Sequence, residues 1–176
     1  AHPVPHTIVM SAGTGGTSAT LGRYIFYKGH ETDLVVVDPE NSVFYDAFRT
    51  GDRSLTAECS SMIEGIGRPK VELSFQPDVI TEMMQVPDLT SVATIHWLHK
   101  LTGRRAGPST GTNLWGALQV ADAMRARGQT GSIVTLLCDA GERYLDTYHD
   151  PAWVAECFGD IAPVMADLDA RFGGAA

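Results

Sequence analysis

The stretch that most restricts this chain runs from His6 to Gly29. A short β-branched run, His6-Thr7-Ile8-Val9-Met10, closes on Ser11-Ala12-Gly13 and passes through Gly13-Thr14-Gly15-Gly16-Thr17 into a helical pattern. A brief apolar run bounded by turn residues reads as a buried strand. Leu21, Tyr24, Ile25 and Tyr27 then recur at three- and four-residue steps, which predicts a helix that starts at the glycine loop and stops near Gly29. Leu34-Val35-Val36-Val37 supplies a second strand, ending at Asp38-Pro39. Strand, helix and strand within roughly thirty residues is the sequence form of a parallel crossover. The expected architecture is therefore α/β: an open, mostly parallel sheet with helices on both faces.

Beyond this unit the pattern is uneven. Between residues 41 and 87, Gly51, Gly65, Gly67, Pro69, Pro77 and Pro87 interrupt every period, so short helices and loops are expected there. Thr90 to Leu101 suits a helix ended by Gly103, and Thr112 to Arg127 a second one ended by Gly128, with Gly107-Pro108-Ser109-Thr110-Gly111 between them. Ile133-Val134-Thr135-Leu136-Leu137-Cys138 reads as a third strand, continuous and apolar as inside a sheet covered on both faces. The segment from Asp160 predicts a terminal helix that frays into Gly173-Gly174-Ala175-Ala176. No repeat or linker divides residues 1–176, which are expected to form one unit.

Charge and composition narrow the partners. Thirteen Lys and Arg against twenty-one Asp and Glu give a net charge of −8, and an acidic surface without a basic run argues against binding a nucleic acid backbone. No stretch approaches the ~20 apolar residues that cross a bilayer, and Ala1-His2-Pro3-Val4-Pro5 lacks the features of a signal peptide. A cytoplasmic location is expected, with no membrane partner. Cys59, Cys138 and Cys157 are odd in number and widely spaced, which suits reduced thiols.

Gly13 to Thr17 lie between a strand's end and a helix's first turn, where unpaired N–H groups and the positive dipole end can hold a phosphate. The dinucleotide pattern would need a third glycine at Ser18, and a P-loop would need a following Lys, so a compact monophosphate fits better than either. The alternative is a glycine turn with no ligand. Gly107-Pro108-Ser109-Thr110-Gly111 has the form of a nucleophile elbow, with Asp139 and His149 following in hydrolase order, but polar, broken residues precede it where an elbow needs a strand. Ser109 could instead cap a helix beginning near Asn113. His96 and His99, three apart on a helix, could share a metal, yet no third ligand has a recognisable spacing and no metal is expected. Cys138 is expected to pack at a strand end, and Trp97, Trp115 and Trp153 to sit in the core.

Taken together with Asp139-Ala140-Gly141-Glu142-Arg143-Tyr144-Leu145, these motifs resemble the C-terminal half of the cysteine synthases and cystathionine β-synthases, pyridoxal-phosphate enzymes with the tryptophan synthase β-subunit fold. Three signatures stand in that family's order: Gly13-Thr14-Gly15-Gly16-Thr17, Glu64-Gly65-Ile66-Gly67, and Gly141-Glu142-Arg143-Tyr144-Leu145. Asp38-Pro39-Glu40 resembles the family's usual end of the second strand. The resemblance implies a fold type II enzyme with pyridoxal 5'-phosphate as cofactor. It further implies that Gly13, Thr14, Gly15, Gly16 and Thr17 hold the phosphate, that Ser109 hydrogen-bonds the pyridine nitrogen, and that Gly65 and Gly67 line the amino-acid substrate. A hydroxyl in place of a carboxylate at that nitrogen makes a weaker electron sink, suited to elimination of a β-substituent.

The same resemblance implies that the Schiff-base lysine and the loop for the substrate carboxylate belong to an N-terminal half outside this chain. Lys28, Lys70 and Lys100 lie in the wrong contexts to replace that lysine. The N-terminal half, as a separate chain or a cleaved parent, is the expected partner, the completed enzyme is expected to be a homodimer, and this half alone is expected to be inactive. Arg68-Pro69 after Gly67 and Thr112-Asn113-Leu114-Trp115 after the serine turn depart from the cysteine synthase pattern. The spelling Gly107-Pro108-Ser109-Thr110-Gly111-Thr112-Asn113 resembles the cysteine desulfhydrase-like branch instead, which implies a lyase releasing sulfide, pyruvate and ammonia from cysteine. Cysteine synthesis from an activated serine is the same-class alternative; a serine hydrolase using Ser109 and a non-catalytic phosphate-binding module are the alternatives of other classes.

Overall fold

The structure is a computed structural model and describes residues 3–173. The expected fraying over Gly174-Ala175-Ala176, like the first two residues, lies outside these. The glycine-loop unit forms as its pattern dictates. β1 (Thr7–Ser11) leads into α1 (Gly16–Lys28) and β2 (Asp33–Pro39), and Gly29 closes α1 in the left-handed region, its N–H on the Phe26 carbonyl at 3.1 Å.

β1 and β2 pair in parallel, and alternation sends their side chains to opposite faces. Ile8, Met10, Leu34 and Val36 pack beneath Leu21 and Ile25 of α1 and Phe44 and Ala47 of α2 (Phe44–Thr50). Val9, Val35 and Val37 face the other way, onto Ala117, Val120 and Met124 of α4 (Pro108–Ala126). α3 (Asp88–Thr102) packs against α4, and Ile63, Ile66, Val92, Ile95, Tyr144, Tyr148 and Val154 make a third cluster. The sheet thus has helices on both faces, as expected.

Among the described residues four strands form the sheet, all parallel, in the order β3-β2-β1-β4. The order reverses between β1 and β4. In open α/β sheets, ligands settle at such a switch point, outside the carboxyl ends of the strands.

Several expectations need correction. β3 (Glu82–Val86) lies where loops and short helices were expected. It pairs with β2 at the sheet edge, with only Met83 and Val86 buried, so Pro77 and Pro87 bracket a half-buried strand rather than abolish one. β4 is only Ile133–Thr135, not a six-residue interior strand. It lies at the opposite edge, and Val134, Leu136 and Leu137 are exposed because the described residues provide no cover beyond β1. Cys138 is exposed rather than packed. α4 starts at Pro108, not Thr112: Pro108 supplies a ready-made φ at the first helical position, so the serine motif is a helix head rather than a loop. α5 (Pro151–Cys157), unforeseen, is capped by Asp150, whose Oδ1 accepts the Trp153 N–H at 2.7 Å. α6 (Ala162–Phe172) is the expected terminal helix, and Trp97 of α3 donates its indole N–H to Asp169 of α6 at 3.0 Å. No helix among the described residues is long and apolar enough to cross a membrane.

Candidate cofactor and substrate cleft

Gly13–Thr17 leave the carboxyl end of β1 at the switch point. Among the described residues, the backbone N–H groups of Thr14 to Ser18 have no acceptor, and the first helical bond is Ala19 N–H to the Gly15 carbonyl at 2.9 Å. Five successive free donors at the positive end of a thirteen-residue helix suit a dianionic phosphate without any basic side chain. Gly15 has φ +85°, and a Cβ there would stand 2.6 Å from Phe75 Cα. Only glycine lets the loop fold this closely. A Cβ at Gly16 would meet nothing nearer than Thr14 Oγ1 at 3.7 Å, so the space before the helix head is open to a ligand. The loop therefore fits the phosphate of pyridoxal phosphate.

The Glu64-Gly65-Ile66-Gly67 turn lies directly against this loop. Gly67 N–H donates to the Ala12 carbonyl at 3.0 Å, and the Gly65 carbonyl sits 2.8 Å from where a Cβ of Gly13 would be. Gly65 has φ +86°, with open space where its own Cβ would point. Asp88, at the head of α3, holds the turn from one side: its carboxylate accepts the Met62 N–H at 2.9 Å and the Glu40 N–H at 3.2 Å, while Glu40 accepts the Asp88 N–H at 2.9 Å. Burial raises the Asp88 pKa, and the nearby Glu40 adds to this. Asp38, fully buried at the end of β2, accepts the Tyr45 N–H at 2.9 Å, and burial pushes its pKa up to about 6.

α4 brings a second helix N-terminus to the same edge. Asn113 ties it there: its Oδ1 accepts the Ser11 N–H at 2.6 Å, and its Nδ2 donates to the Leu136 carbonyl at 3.2 Å. Thr110 Oγ1 accepts the Cys138 N–H at 2.9 Å. Ser109 lies in this first turn, 8% exposed, and among the described residues its hydroxyl has no hydrogen-bond partner. It is not a cap, since Gly107 holds that position.

The structure also decides the rival readings. Asp139 accepts from Tyr144 at 2.8 Å and Arg143 at 3.3 Å, whereas His149 Nε2 donates to the Ala106 carbonyl at 2.9 Å. No hydrogen bond joins Ser109, His149 and Asp139, so the hydrolase triad does not form. Burial pushes the Tyr144 phenol up to about 12, and its Asp139 contact acts in the same direction. His149 does approach His96 and His99, with ring centroids 5.5 and 6.5 Å away, a neighbour that spacing did not reveal. Still, no group of three or more His, Cys, Asp or Glu among the described residues is placed to hold a metal. Burial holds the His149 pKa below its ordinary value; the Ala106 bond opposes this. Lys100 is engaged with Asp169 at 2.5 Å, and Lys28 lies over the Tyr24 and Tyr27 rings, both away from the glycine loop.

Comparison with known proteins shows the family. Residues 1–139 match the family model described as pyridoxal-phosphate dependent enzyme. An L-cysteine desulfhydrase of Mycobacterium tuberculosis is 54% identical over 154 residues, covering 88% of this chain and 42% of that protein. Cysteine synthase 2 of Neurospora crassa is 32% identical over 179 residues (94% and 38%), and cysteine synthase 1 of the same organism 28% over 149 residues (83% and 39%). The chain spans about two fifths of the length of these relatives.

Proposed function

The chain belongs to the pyridoxal-phosphate dependent enzyme family, and from that premise we propose that residues 1–176 are the C-terminal portion of an L-cysteine desulfhydrase. The observation that carries this reading is the row of free N–H groups from Thr14 to Ser18, set against the open face of Gly65. The first would hold the cofactor phosphate, and the second would wall the amino acid beside it. When bound, the cofactor supplies the electron sink for loss of a β-substituent. Ser109, whose hydroxyl is free, would donate to the pyridine nitrogen. A neutral hydroxyl leaves the ring a weaker acceptor than a carboxylate partner would, which suits elimination.

Elimination is preferred over replacement because this chain is far more similar to the relative named a desulfhydrase than to those named cysteine synthases. The lysine and substrate-carboxylate loop would come from an N-terminal half of the enzyme. The exposed Val134, Leu136 and Leu137 beside β4 support such a partner, since an apolar sheet edge calls for cover. The completed enzyme would be a cytoplasmic homodimer, a location that three unpaired cysteines suit.

Supplying the completed enzyme with L-cysteine alone tests the reaction. Steady release of sulfide and pyruvate is the expected result; turnover only when O-acetylserine and sulfide are both present would reassign the chain to cysteine synthesis.

A further inference from the structure

The Met62–Gly67 turn is gripped from its second side by a residue more than eighty positions away. The Tyr148 phenol donates to the Met62 carbonyl at 2.5 Å and accepts the Glu64 N–H at 3.3 Å. One hydroxyl thus spans the residues just before Gly65. The phenol is itself held from behind: His96 Nε2 donates to the Tyr148 carbonyl at 2.8 Å, and the ring packs on Trp153, Tyr144 and Phe158 with centroids 5.0, 5.5 and 6.0 Å away. At 6% exposure, Tyr148 is buried in the cluster that also holds Ile63 and Ile66 of the turn. Gly65 has no side chain to anchor it, so the place of its open face is set by its neighbours' backbone bonds.

We propose that Tyr148 is a positioning residue for the amino-acid substrate, fixing the open face of Gly65 through Met62 and Glu64. This rests on the reading of the Gly65 turn as the amino-acid wall. With both bonds in place the turn is ordered before substrate arrives. Without the hydroxyl, two backbone groups lose their partner, and part of the binding free energy goes into ordering the turn. Among the described residues no hydrogen bond joins Tyr148 to Gly13–Thr17, so removing its hydroxyl leaves the free N–H groups of the loop in place.

Tyr148→Phe in the complete enzyme keeps the ring packing and removes only the hydroxyl. L-alanine, which has no β-leaving group, reports binding without elimination. The expected result is about a tenfold weaker Kd for L-alanine and a matching rise in KM for L-cysteine, with cofactor content unchanged and kcat within about twofold. Val154→Ala, in the same buried cluster but without a bond to the turn, should lower the thermal midpoint and leave L-alanine affinity alone. Unchanged L-alanine affinity in Tyr148→Phe, or equal loss in both variants, would overturn the proposal. In the wild-type enzyme, L-alanine should slow amide exchange from Glu64 to Gly67; no slowing would overturn it whatever the variants do. A wild-type enzyme that behaves in these ways yet releases no sulfide from cysteine would refute the desulfhydrase reading and leave Tyr148 in its role.

Discussion

Ser11 and Asn113 stand 102 positions apart, yet the Ser11 N–H donates to Asn113 Oδ1 at 2.6 Å where β1 gives way to the glycine loop. The Asn113 side chain in turn donates from Nδ2 to the Leu136 carbonyl just beyond β4. One fully buried side chain therefore ties both strands of the switch point to the head of α4. Asn113→Leu should cost roughly 1–3 kcal/mol, because the buried Ser11 N–H loses its partner and the half-buried Leu136 carbonyl bond goes with it. Denaturant unfolding measures this; a loss below roughly 0.5 kcal/mol, typical of a surface substitution, would show that the tie contributes little.

Two glycines of the loop are needed for different reasons, and alanine separates them. Gly15→Ala forces a Cβ into the Phe75 backbone at a left-handed φ, so it should destabilise the ligand-free protein. Gly16→Ala meets no protein atom closely and should leave the ligand-free thermal midpoint unchanged, yet its methyl group would enter the open space proposed for the phosphate. Cofactor titration of the completed enzyme should therefore show weakened binding for Gly16→Ala. Normal binding would mean that the phosphate lies elsewhere.

Removing the free hydroxyl tests the assigned role of Ser109. Ser109→Ala should retain the cofactor and slow elimination by up to about tenfold, the value of one neutral hydrogen bond. A nucleophile would lose activity on the order of a million-fold. Ser109→Asp should change the visible absorbance of the bound cofactor, since a carboxylate favours the protonated ring nitrogen. An unaltered spectrum and rate in both variants would remove Ser109 from the site.

Asp38 makes stability pH-dependent in an unusual direction for a carboxylate. Its folded pKa is about 6, raised by burial from 3.8, so the folded state binds the proton more tightly. Its stabilising contribution is complete below 3.8 and is lost as pH rises through about 6. Asn cannot lose that proton. The thermal midpoint of Asp38→Asn relative to wild type should therefore climb between about pH 4 and about pH 7. A constant difference across that range would show that Asp38 titrates normally.

The strand, glycine loop and helix from Thr7 to Gly29 were legible in the sequence because each depends on near neighbours: apolar period, helix length and a glycine where φ is positive. The glycine loop before α1 and the positive-φ Gly65 turn belong to this local class, and so does the parallel crossover to β2. Other features waited for the tertiary structure. Pro77 and Pro87 looked like breakers until β2 supplied a partner for the residues between them, and Ile133–Cys138 looked interior until, among the described residues, β1 alone proved to flank it. The one Asn of α4, in its second turn from Pro108, was a signal that could have singled out Asn113, but nothing local marked Tyr148. Hydrogen bonds between groups tens of residues apart, and the burial of a strand's two faces, depend on which segments the fold brings together; no window of sequence contains both partners.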